Sequence, residues 1–160
     1  MKSVRRPFSF GLLACLCFAL LAGLSCREDP FELIDPTLRP YLEAFKDEAE
    51  ARNFDVNYRT RMIEGRLSYH PDDTRLGWCD YNGTEPNKMT INTLFWEVLD
   101  DLGKEKLVFQ ELGHCVLFRQ HNDVKQDDGY CESIMHSGQA CADNYTLETR
   151  ADYLDELFFR

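Results

Sequence analysis

The chain has 160 residues, 44% apolar and 29% charged, with a formal net charge of −10. Three of its 18 basic residues and none of its 28 acidic ones fall in the first 25 positions, so the remainder carries about −13. Such a surface argues against nucleic acid as a partner, because neutralising phosphates needs a basic face. Length and composition fit one globular domain behind an N-terminal leader.

Residues 1–25 have the order of an export signal. Lys2, Arg5 and Arg6 make a positive start, and an uncharged, mostly apolar run follows from Phe8 to Ser25. The run closes on Leu24-Ser25-Cys26, with charged Arg27, Glu28 and Asp29 next. This resembles a bacterial lipoprotein signal, in which Cys26 becomes the lipidated first residue. Leu12-Leu13-Ala14-Cys15 fits the tetrapeptide better but leaves a very short apolar region before it. Plain secretion and a retained anchor are the alternatives, since 18 apolar residues just reach spanning length. The expectation is a chain held at the cell envelope by an N-terminal lipid, with 26–34 as tether and 35–160 as the domain.

Asp35-Pro36 predicts a helix start, with Asp as cap and Pro at the first position. Leu38, Leu42, Phe45 and Ala49 then recur at helical spacing. Phe54 to Tyr69 is expected to hold the first strands, and His70, before Pro71, is expected to be extended or in a turn, at the surface. Leu76 to Tyr81 reads as a strand, Asn82-Gly83 as a turn, and Lys88 to Asn92 as the returning strand of a hairpin. Thr93 to Leu102 is predicted as a short amphipathic helix with Phe95, Leu99 and Leu102 inward and Gly103 as its stop. A central helix follows over Lys104 to Arg119. The tail from Thr146 is amphipathic, with Tyr153, Leu154, Leu157 and Phe158 docking on the core.

The central helix carries the chemistry. Glu111 and His114 are three apart and share a face. Zinc hydrolases use this geometry in H-E-x-x-H: two histidines one turn apart grip the metal, and the glutamate between them deprotonates water. The first histidine position is occupied by Gln110, whose neutral amide oxygen is a weak ligand. An E-x-x-H alone says little in so acidic a chain. Val108, Leu112, Cys115 and Val116 add an apolar stripe that predicts a buried helix. Gly113 costs about 1 kcal/mol against Ala in a helix and points to a close approach by another backbone. Leu107 and Phe118 are expected to flank Glu111 and His114, and an apolar surround would raise the glutamate's pKa. His121 follows the helix where a further ligand would come. Asp123, His70 and His136 are weaker substitutes. Asp123, Asp127 and Asp128 lack the spacing of a calcium loop.

Phe109-Gln110-Glu111-Leu112-Gly113-His114-Cys115-Val116-Leu117, then His121, then Ser133-Ile134-Met135-His136, resemble the small secreted bacterial zinc metallopeptidases of the zincin type. Their pattern is H-E-L-G-H-C-x-L, a third histidine seven residues on, and a downstream S-I-M turn like the methionine turn of metzincins. The resemblance runs from about Asp35 to the C-terminus. It implies an α+β zincin-like domain, a small mixed sheet packed on the active-site helix with N- and C-terminal helices. It places the general base on Glu111, zinc ligands on His114 and His121, and the turn methionine on Met135. The first ligand falls on Gln110, where this chain departs from the pattern. The activity implied is zinc-dependent hydrolysis of a peptide or protein. The alternatives are an inactive descendant that binds peptides or proteins through the same cleft, and an exported structural protein without that ancestry.

Of seven cysteines, Cys15, Cys17 and Cys26 lie in or end the leader. The other four, Cys79, Cys115, Cys131 and Cys141, suit two disulfides in an exported domain, with three connectivities open. Cys131–Cys141 is favoured because it closes a short loop around Met135. Cys79–Cys115 would then tie a strand to the central helix. Metal ligation by some of them is the alternative, with no C-x-x-C to support it.

Overall fold

A computed structural model describes residues 29, 31–58, 63–81, 86–138 and 141–159. The leader with Cys26 and the Asn82-Gly83 turn lie outside the described residues. The elements in chain order are α1 (Arg39–Ala51), β1 (Ile63–Ser68), β2 (Gly77–Asp80), β3 (Asn87–Asn92), α2 (Thr93–Trp96), α3 (Asp101–Cys115), a 3₁₀ turn (Ala142–Asn144) and α4 (Arg150–Phe159). The class is mixed α/β, with four α-helices and a three-stranded mixed sheet of order β1-β3-β2 among the described residues. Among the described residues no helix is long and apolar enough to cross a membrane.

β3 is the central strand, parallel to β1 and antiparallel to β2. Its Met89 and Ile91 are fully buried, and so is Thr90 on its other face. A strand covered on both sides needs this near-continuous run of non-charged residues. The expected hairpin pairing of β2 and β3 is present, with Cys79 opposite Met89. α3 packs against β2 and β3 on one side and α1 on the other. Phe45 of α1 meets Phe109 of α3 edge-on at 5.1 Å and Phe158 of α4 at 5.0 Å, so three helices share one aromatic centre.

Two sequence expectations, both on helix ends, need correction. The first helix begins at Arg39, not at Asp35. The Asp35 carboxylate accepts the Thr37 N–H at 2.8 Å and its own N–H donates to the Gly65 carbonyl, which holds residues 34–35 extended beside β1. Pro40 supplies the first-turn proline instead. The predicted Thr93–Leu102 helix stops at Trp96, and Trp96 is its buried residue. Gly103 is no stop: Asp100 caps α3 by accepting the Gly103 N–H at 2.8 Å, which places that glycine in the first turn. Within the expected strand region, Ile63–Ser68 is the strand among the described residues.

Candidate active site

α3 presents Leu107, Gln110, Glu111 and His114 to a cleft of about 680 Å³, and Gly77, Trp78 and Cys79 of β2 form a facing wall. His121 reaches the same cleft from the segment after α3. Glu111 is 5% exposed, and its Oε2 has no hydrogen-bond partner. β2 lies so close over it that a Cβ on Gly77 would stand 3.0 Å from the Glu111 Cγ and 3.2 Å from Oε1. Burial pushes this carboxyl up to about 8, with Arg75 pulling weakly the other way.

His114 is held in one tautomer. Its Nδ1 lies 2.7 Å from the Arg119 carbonyl, which can only accept, so Nδ1 carries the proton and Nε2 keeps its lone pair free. Burial lowers the His114 pKa, and the Arg119 bond partly offsets this. The chain reverses just after the helix. Phe118 takes a left-handed conformation with φ 56°, and the Arg119 N–H returns to the Gly113 carbonyl at 3.0 Å. This reversal carries His121 back until its ring centroid is 4.7 Å from that of His114, nearly perpendicular. The same reversal turns Phe118 outward onto Tyr81, 6.1 Å between centroids, so it does not flank Glu111 as the longer predicted helix required. Leu107 does line the cleft.

Gln110 also faces the cleft, and its Nε2 donates to the His136 carbonyl at 3.2 Å. His136 itself turns away: its Nδ1 is 2.7 Å from the Ser137 carbonyl, and it is not among the cleft residues. Asp123 accepts the Ser137 N–H at 2.6 Å, a bond that holds its carboxyl below the usual range. His70 is not a solvated loop residue. Asn92 brackets its backbone on both sides, its ring lies 5.0 Å from Trp78, and its Nε2 is buried without a partner.

Met135 is fully buried beneath α3. Gly113 makes room for this side chain, not for a backbone as expected: a Cβ there would collide with the Met135 Sδ and stand 3.1 Å from its Cε. The Met135 N–H is bonded to Ser133 Oγ, and its carbonyl accepts the Asn122 N–H at 3.1 Å, so the methionine segment braces the residue after His121. Gly113→Ala should therefore destabilise despite better helix propensity. Overpacking of about 1–3 kcal/mol outweighs a gain of about 1. Urea unfolding of G113A, M135A and the double variant checks this, the double losing less than the sum of the singles.

Cys79 is bonded to Cys115, with Cα atoms 5.6 Å apart, and Cys131 lies at disulfide distance from Cys141, with Cα atoms 5.9 Å apart. These are the pairings the sequence favoured. Among the described residues, one set of three His, Cys, Asp or Glu side chains places its ligand atoms within 4.8 Å of one another: Cys131, His136 and Cys141, which could hold a metal ion only with the two cysteines reduced to thiols. Sequence reasoning missed this trio, although its even spacing, five residues on either side of His136, was there to be seen. No third side chain of those four types joins His114 and His121 at such distances among the described residues. No protein-family model, no curated protein and no solved structure matches the chain.

Proposed function

We propose that this chain is a metal-dependent peptide hydrolase, with Glu111 as general base and His114, His121 and the amide oxygen of Gln110 as metal ligands. One observation carries the reading: a buried carboxylate oxygen without a partner, on a helix whose His114 is met by His121 from the following segment. A buried acid with an unmet acceptor is costly to keep, and such groups cluster where chemistry is done. The donor set fits a divalent ion. His114 keeps Nε2 free, His121 stands beside it, and Gln110 engages its nitrogen elsewhere, leaving its oxygen. When bound, zinc would supply Lewis-acid polarisation of the substrate carbonyl and a more acidic water. Glu111 ionises more readily beside a divalent cation and takes up the proton of the attacking water. Arg119 fixes His114 through its carbonyl, and Leu107 and Trp78 limit water in the cleft. On the export reading, lipid on Cys26 would hold the domain at the envelope, a compartment that suits its disulfides.

A second reading rests on Gln110 alone. Its hydrogen bond to the His136 carbonyl gives the amide a structural use without metal, which suits a peptide-binding module descended from an enzyme. Metal analysis of the purified protein and of Gln110→His separates the two. Under the hydrolase reading the natural chain binds zinc weakly, and Q110H binds it at least about tenfold more tightly and cleaves quenched peptides faster. Glu111→Gln should lower that cleavage by roughly 10²–10⁴. If Q110H gains neither zinc affinity nor activity, the metal assignment falls and the binding module remains.

A further inference from the structure

Lys106 has no role in the chemistry above, yet it lines the same cleft, beside Leu99, Gly103 and Ala142. It stands one turn before Gln110 and two before His114, so all three share a face of α3. In a chain with 28 acidic residues, no carboxylate pairs with it among the described residues. Its amine is turned onto a single backbone acceptor, the Cys141 carbonyl at 3.3 Å. An ammonium has three donors, so two are left for something else. The side chain is partly buried, and burial lowers its pKa while Asp143, beyond ion-pair distance, partly offsets this. Arg75, the other cationic side chain of the cleft, is already committed to the Asp73 carboxylate at 2.6 Å.

A lysine that covers apolar surface with its stem normally carries its charge out to water. Lys106 instead holds its charge at the wall of a cleft whose reactive end is five to eight residues further along the helix. At 1.5 Å per residue that is roughly 8–12 Å. An extended peptide advances about 3.3 Å per residue, so the interval spans two to four residues. We infer that Lys106 is the specificity-determining receptor for a carboxylate of the bound peptide, two to four residues from the carbonyl held beside Glu111 and His114. The carboxylate has two sources, a free C-terminus or an aspartate or glutamate side chain. The inference rests on the reading of the cleft as a peptide site, though not on hydrolysis in it.

The test uses three short peptides of one apolar sequence: the free acid, the C-terminal amide, and the amide with a glutamate three residues from the centre. Binding to the full chain is followed by calorimetry, with zinc and with chelator, for the natural protein, Lys106→Met and Lys106→Glu. The natural protein should prefer one of the carboxylate peptides over the plain amide by about tenfold to a hundredfold, the worth of a charge-assisted hydrogen bond. Which one it prefers identifies the source. K106M should lose the preference with amide binding unchanged, and K106E should reverse it. The reversal keeps the test decisive if K106M folds poorly. Equal binding of all three peptides, no binding of any, or a preference that survives both substitutions overturns the inference. Preference without cleavage would defeat the hydrolase reading and leave this one standing; cleavage indifferent to the carboxylate would do the opposite.

Discussion

Glu111→Gln should make the metal-free protein more stable at pH 8, not less. The unfolded glutamate titrates near 4.5, whereas the native one is pushed up to about 8 by burial. Between those values the native chain keeps a proton that the unfolded chain has lost. Stability is therefore fully present below about pH 4.5, falls as pH rises, and levels off above about 8. The interval corresponds to a loss on the order of 3–5 kcal/mol from this one group. A glutamine amide does not titrate in this range, so E111Q should abolish that part of the slope and gain a comparable amount at pH 8. Urea unfolding from pH 4.5 to 9 in chelator measures both. Parallel pH profiles for the two proteins would show that Glu111 is better solvated than its surroundings indicate. Zinc added to the natural protein should flatten the profile, because a cation beside the carboxylate favours its ionised form.

Glu156→Ala should cost about 3–5 kcal/mol, the range for breaking a buried ion pair from one side. Glu156 lies on α4 with 6% of its side chain exposed, and Arg119 opposite it has 15%. One carboxylate oxygen pairs with Arg119 Nη2, and the other accepts from Ser133 Oγ at 2.6 Å. Arg119 also donates through Nη1 to the carbonyls of Glu156 and Leu157, two of the orphan acceptors at the end of α4. Removing the carboxylate leaves Arg119 Nη2 and the Ser133 hydroxyl proton in a largely dry site without their acceptor. The loss would spread along a defined path. Ser133 holds the Met135 N–H, and the Met135 carbonyl holds Asn122, the residue after His121. Chemical denaturation of E156A, R119M and R119M/E156L checks this. The apolar pair should recover much of what E156A loses, and a cost below about 1 kcal/mol for E156A would show that the network adds little.

The Glu111–His114 face, the apolar stripe through Val108 and Leu112, and the docking of Tyr153, Leu154, Leu157 and Phe158 were legible in the chain because helical periodicity is a local property. The disulfide pairings were narrowed to one preference by loop length, also local. Helix ends were less legible. Asp35 and Asp100 are both helix-capping types, but contacts with Gly65 divert the first into a turn while the second caps α3.

Spacing alone determined that a carboxylate and an imidazole of this protein share a helix face, with Gln110 beside them. Only the tertiary structure decided the rest: that Phe118 turns left-handed and returns His121 to His114, that Gly77 packs closely over Glu111, and that His136 goes to the two cysteines instead of to the cleft. The reason is that residue type and separation fix which groups can meet along one helix. Desolvation and the joining of distant segments depend on what packs over them, and a strand 34 residues upstream is not written into the helix it covers.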